Sequence, residues 1–304
     1  MRKHIIIAVS GLMLAGCSIK QMAVDIVGDA ISGGGGAYAS DDDPELIFEA
    51  LPFGLKTYES MLEVSPEHLG LLLASAKGFT IYAYLIQNKA DRLAERDLDR
   101  ARQMRARASK LYLRGRDYAL RGLAVAHEGF TVGLYEDRSA ALARAGVEDV
   151  GFLYWAGAAW AGALSAAKDD LDLIAELPFA GDLVARVVAL DEGYERGAAH
   201  DFLISYEGSR PGGSNGRARE HYRRALEVSG GMRASTHLAL AEAVAVSEQN
   251  LTEFRALLEA ALAVDPDRVL RLRLANTIAR ERAAWLMGRI PDLFLEAGLE
   301  EESQ

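Results

Sequence analysis

From Asp43 onward, apolar positions recur at three- and four-residue intervals, and no sustained apolar–polar alternation interrupts them, so the pattern predicts helix after helix and no sheet. The clearest period runs from Asp99 to His127. There Ala101, Met104, Ala108, Leu111, Gly115, Tyr118, Gly122 and Val125 fall on one stripe. The stripe is mostly small, which lets another helix approach closely. Arg100, Arg102, Arg105, Arg107, Arg114, Arg116 and Arg121 lie off it and read as a solvated face. Val150 to Ala167 carries no charge and is rich in Ala and Gly. This stretch predicts a buried central helix rather than a membrane span.

Helix starts are marked by a capping residue before a proline at Asp43-Pro44, Ser65-Pro66 and Asp265-Pro266. Helix ends repeat too. Tyr58 to Pro66, Tyr222 to Gly230 and Leu258 to Pro266 share an aromatic or apolar residue, an Ala-Leu-like pair and a turn, and Val184 to Glu192 is a weaker copy. These resemble the ends of tetratricopeptide-type hairpins. The interval from Pro66 to Glu192 is too long for regular repeats. The expected fold is therefore all-α: an irregular tetratricopeptide-like solenoid of antiparallel helix hairpins, with room for a central cavity.

Upstream of the helices the pattern changes. Arg2 and Lys3 precede an apolar run, Ile5 to Leu14, that is short for a membrane span. It ends in Leu14-Ala15-Gly16-Cys17, which looks like a bacterial lipobox. The reading is a lipoprotein signal peptide over 1–16 and acylation of Cys17. Residues 17–43, with Gly33 to Gly36 and Asp41 to Asp43, read as a flexible tether. A single helical domain is expected over 44–296 and an acidic tail over 297–304. Ser18 after the cysteine points to the outer membrane under the usual enteric sorting pattern, with the body facing the periplasm.

Composition narrows the chemistry. Half of the 304 residues are apolar, so a large core is available, and the net charge of −10 argues against a nucleic-acid partner. A single cysteine excludes an intrachain disulfide. His4, His68, His127, His200, His221 and His237 are scattered without metal-ligand spacing, and the last five read as surface or capping groups. Neither Gly33 to Gly36 nor Gly208 to Gly216 ends in the Lys-Ser/Thr of a phosphate loop, and no Gly-x-Ser-x-Gly elbow occurs. No catalytic residue, metal site or cofactor is expected.

Several long stretches carry a resemblance that spans nearly the whole body in order. They are Leu51–Pro66, Lys110–Leu123, Leu153–Asp170, His200–Gly208, Ala218–Gly231 and Leu272–Phe294. The chain resembles the TatT family, the tetratricopeptide-type accessory lipoprotein of TRAP transporters. That resemblance implies an all-helical protomer, often trimeric, which docks a periplasmic solute-binding protein. It also implies a hydrophobic cavity for an apolar small molecule or lipid, and no enzymatic activity. A scaffold for envelope assembly that holds peptides is the alternative. A cavity needs large apolar walls with a few polar groups. Tyr82 and Tyr84 lie in an apolar stretch near Thr80 and Gln87, Trp155 and Trp160 on the uncharged helix, and Phe202 and Tyr206 one turn apart. Tyr82, Trp155, Trp160, Phe202 and Tyr206 are the expected contributors to the wall.

Overall fold

The computed structural model describes residues 21–22, 24–30 and 36–295, and all regular structure among them is helical. The signal segment, Cys17, Gly33 to Gly35 and the tail from 297 lie outside the described residues. The main helices are α1 (Pro44–Leu62), α2 (Leu69–Leu93), α3 (Leu98–Ala126), α4 (Phe130–Glu136), α5 (Arg138–Arg144), α6 (Val150–Ala166) and α7 (Leu171–Leu190). They continue as α8 (Ala198–Ser209), α9 (Asn215–Ser229), α10 (Ala234–Leu240), α11 (Leu251–Ala263), α12 (Arg273–Met287) and the short α13 (Ile290–Leu293).

Side-chain caps fix most of these starts by accepting from orphan backbone N–H groups. Asp43 caps α1 at 3.0 Å, Asp97 caps α3 at 2.9 Å, and Asn250 caps α11 at 3.1 Å. Asp265 caps a single 3₁₀ turn, Pro266–Arg268. Ser65-Pro66 departs from expectation. It forms a turn, and α2 begins three residues later, where His68 Nδ1 accepts from the Leu71 N–H at 3.3 Å. The four repeat-like motifs fall at the C-terminal ends of α1, α7, α9 and α11.

In the N-terminal half, α3 is wedged against α2 and α6, and α6 packs in turn on α7 and α2. Three contacts set the α2–α6 register. Leu73 meets Gly151, Lys77 lies over Trp155, and Gln87 Nε2 donates to Ser165 Oγ at 2.9 Å. Each pair is 78 residues apart in sequence, so the two helices run parallel and in step. Against them α3 runs antiparallel. Its Gly122 meets Phe152, while its Tyr112 packs on Gly162 and donates to Gln87 Oε1 at 3.1 Å.

The buried face of α3 is wider than the expected stripe and is rotated from it. Ala101, Ala108, Gly115 and Gly122 are buried as expected, but Tyr112 and Ala119 join them, while Met104, Leu111 and Tyr118 are half-buried and Val125 is exposed. A helix with neighbours on two sides buries more than one line of residues.

In the C-terminal half, each helix from α8 to α12 packs on its successor, and α8, α10 and α12 also pack in sequence on one another. α10 runs into a π turn, Ala241–Ala245. This half has its own apolar core around Phe254, Leu258 and Val244. It joins the first half at two places. α8 contributes Ala199 and Leu203 to the core around Trp160, while α12 contributes Leu274 and Ile278 to the core around Tyr82 and Ile47.

Two segments differ from the sequence reading. Part of the stretch expected to be a tether is helical and docked: Asp25 Oδ1 accepts from Ser65 Oγ at 2.5 Å, and Gly28 lies against His68 and Leu71. The histidines, apart from the capping His68, are mostly drawn into internal pairs. His127 bonds Asp149 at 2.7 Å, buried His200 lies between His221 and Glu192, and His237 faces Tyr222 at 2.9 Å. Burial pushes the His221 and His237 pKa values down.

The close approach at α3 is testable. A Cβ at Gly115 meets Thr80 Oγ1 at 2.7 Å and the Ala76 carbonyl at 3.0 Å, and one at Gly122 runs into the Phe152 ring. Gly115→Leu and Gly122→Leu are each expected to cost about 1–3 kcal/mol by overpacking. Thermal melts of both variants that match the parent chain contradict this packing.

Candidate functional site

The stripe Lys77, Ile81, Tyr84, Asn88 and Asp91 runs along the side of α2 turned to the C-terminal half. Its spacing of four, three, four and three keeps it on one face, and it extends about 21 Å at 1.5 Å per residue. The C-terminal half reaches across this stripe at both ends. At one end Lys77 Nζ donates to Glu195 Oε1 at 3.4 Å. At the other, Arg282 of α12 donates to Asn88 Oδ1 at 2.6 Å and to Asp91 Oδ2 at 3.2 Å.

Between these ties Tyr84 remains 37% exposed. Yet burial raises the pKa of its phenol, with Arg282 pulling the other way. A partly exposed ring with protein crowded around it makes Tyr84 the candidate for the wall of a hollow between the two ties. The same end is rigid. Arg282 also donates twice to Glu242 of the π turn, at 2.9 and 2.6 Å, and Asp91 accepts from Arg105 at 2.9 Å. Burial alone lowers the Arg282 pKa, but Glu242 and the neighbouring groups raise it further, so the guanidinium stays charged. Arg92–Glu281 and Arg289–Glu95 continue the tie toward the end of α2.

The Lys77 end is aromatic. Lys77 lies 5.7 Å over the Trp155 ring, Trp155 meets Tyr154 edge-on at 5.1 Å, and Tyr154 meets Tyr194 at 5.4 Å. Burial pushes the Tyr154 phenol up to about 12, and it raises Tyr194 further still. Behind them Asp201 accepts from Arg233 Nε at 2.8 Å, Ser235 Oγ at 2.7 Å and Thr236 Oγ1 at 2.6 Å. His200 and Asp201 thus serve different partners, as adjacent helical residues must. On α6, Ala158 and Ala161 are small and half-buried. Neutralised ion pairs at the two ends and aromatic or aliphatic surface between them suit an apolar or amphiphilic guest.

Of the residues expected in a wall, Trp155 lies under Lys77, at the aromatic end of the stripe. Trp160 is 1% exposed; it stacks on Phe179 at 5.2 Å and donates to Glu176 Oε2 at 2.9 Å, between α6 and α7. Phe202 and Tyr206 stack on each other at 5.9 Å, and Tyr206 packs on Gly181 of α7. Trp155, Trp160, Phe202 and Tyr206 share one apolar cluster without sharing one wall. Tyr82 does not join them. It is 6% exposed, packed on Phe48 and bonded by Arg107, in the core between α1 and α3. Sequence reasoning missed Tyr84, Asn88, Arg282 and Glu242. The available signal was the polar line through an otherwise apolar α2.

Comparison with known proteins gives two matches. A family model described as "TRAP transporter T-component" matches residues 40–294. A protein of Treponema pallidum (strain Nichols), described as uncharacterized, is 30% identical over 309 residues, covering 94% of this chain and 96% of its own.

Arg282→Met removes the partner of Glu242 and of one Asp91 oxygen. Arg282 and Asp91 are each 17% exposed, so breaking this cluster is expected to cost more than the rim pair lost in Arg92→Met, which is worth less than about 1 kcal/mol. Thermal denaturation of the two variants is expected to show this difference, and equal melting temperatures contradict it.

Proposed function

The chain belongs to the TRAP transporter T-component family, accessory proteins of TRAP transport located in the cell envelope, and from that premise we propose a more specific role. The protein is anchored by acylated Cys17 with its body facing the periplasm, most simply at the outer membrane. There it docks the solute-binding protein of its transport system and, assembled as a homo-oligomer, a trimer by resemblance, holds or passes an apolar guest along the hollow beside Tyr84 and Trp155. The observation that carries this reading is the family match across residues 40–294. The guest site is supported by the half-open tyrosine between two ion-pair ties. No proton or bond needs to move, and the residues around the hollow act by shape and by excluding water.

Two measurements test the role. An environment-sensitive apolar dye is expected to brighten on the full chain, less so on Tyr84→Ala and Trp155→Ala, and unchanged on Phe53→Ala, whose parent side chain is exposed elsewhere. Equal brightening of all four proteins rejects the hollow as the guest site. Capture of periplasmic proteins on the immobilised chain is expected to retain a solute-binding protein, and its absence rejects the docking role.

Anchoring is tested separately. Cys17→Ser is expected to leave the protein unprocessed or released from the membrane fraction. Two or three acyl chains contribute about 0.8 kcal/mol per buried CH₂, so the loss should be large. Unchanged processing and fractionation reject the anchor.

A further inference from the structure

The docked segment at the N-terminus has two faces. Residues 21–22 and 24–30 are helical. Asp25 and Gly28 turn to the body: Asp25 Oδ1 accepts a hydrogen bond from the Ser65 hydroxyl, its carbonyl lies 3.2 Å from His68 Nε2, and Gly28 abuts His68 and Leu71. Asp29 also reaches His68, at 3.5 Å. The exposed flank beside these contacts carries Met22 and Ile26, four residues apart and hence stacked along the helix. Met22 is 56% exposed, Ile26 is 66% exposed, and Val27 beside them is exposed as well. Leu69, next to His68 in sequence, is also exposed. Asp25 is thus turned to the body, while Met22, Ile26 and Val27 face outward beside the exposed Asp29.

We propose that this Met22–Ile26–Val27 face rests in the surface of the bilayer that holds Cys17, so that the docked helix sets the orientation of the whole body on the membrane. The proposal rests on the anchor reading given above. Leash length selects the occupant. Cys17 precedes Met22 by five residues, and five residues span at most about 18 Å even when fully extended. An acylated Cys17 therefore holds this face within one short reach of the lipid. An exposed apolar helix face at that height is buried by lying in the interface. The glycine run, Gly33 to Gly36, follows the docked helix instead of separating it from the anchor.

The test uses the full lipidated chain in phosphatidylcholine vesicles whose acyl chains carry bromine, a short-range quencher of indole emission. Ile26→Trp and Met22→Trp place the reporter on the face, and Leu270→Trp places it on an exposed site before α12. The unsubstituted chain, with Trp155, Trp160 and Trp285, gives the background. A loss of the added emission in Ile26→Trp and Met22→Trp, with none in Leu270→Trp, is expected. Unquenched emission in the first two variants, while the protein sediments with the vesicles, overturns the proposal and leaves the anchor intact. Emission that is blue-shifted but unquenched, and that changes with protein density, puts a second copy on the face and also overturns it. Failure of the unsubstituted chain to sediment with the vesicles removes the anchor reading, and the proposal falls with it.

Discussion

The arrangement depends on α2 and α6 lying parallel and in step. Parallel neighbours cannot be joined by a tight turn, so the chain must travel back between them, and α3 is that return. Its small residues, Gly115 against Ala76 and Thr80 and Gly122 against Phe152, allow it to approach both partners at once. A polar chain from Tyr112 through Gln87 to Ser165 pins the register with directional bonds where apolar packing alone tolerates slippage. Because α3 fills one side of the α2–α6 pair, the other side, with Lys77, Tyr84 and Trp155, is left for the second half of the molecule.

That second half closes on the first through charge as well as packing. Arg282 holds two acids and an amide drawn from α2 and the π turn, which a simple apolar contact does not specify. Buried ion pairs add little net stability over a well-packed apolar alternative, yet they are costly to leave half-made, so they select one arrangement. Here the selected arrangement fixes α12 against the end of α2 that carries Asn88 and Asp91. The π turn places Glu242 where Arg282 can reach it. Such insertions bend a helix locally and often accompany function.

Much of this was legible in the chain, within definite limits. The Asp43-Pro44 cap located the start of α1, helical period located α3, the repeat-like motif from Leu258 to Pro266 marked the end of α11, and the lack of charge from Val150 to Ala167 marked α6 as interior. Periodicity could not say which flank of α2 would be covered. Tyr82 and Tyr84 have the same chemistry and lie about 200° apart on a helix, and only the tertiary contacts of α1 and α12 decide that one is core and the other lines space. Trp160 failed as a wall residue for a related reason: five residues from Trp155, it points to α7, where Phe179 and Glu176 receive it. The histidine pairs were invisible because their partners are distant in sequence, as His127 is from Asp149. The docking of residues 24–30 was hidden as well, since it depends on His68 and Ser65 beyond a glycine run that suggests only freedom.

The position of the docked helix also gives the hollow a direction. Its contacts are to Ser65, His68 and Leu71, the approach to and first turn of α2. Lys77 lies about 12 Å along α2 from Leu69, and Asp91 about 33 Å along it. If the proposed face sits on the bilayer, the aromatic end of the hollow, with Trp155, Tyr154 and Tyr194, is the end nearer the lipid, and the Arg282 end is the one farther from it. An apolar guest that enters from the membrane side then meets ring faces first and the closed ion-pair cluster last. Such an order favours a guest whose apolar part remains among the aromatics, because the charges at the far end already satisfy one another and offer a buried headgroup no unpaired partner.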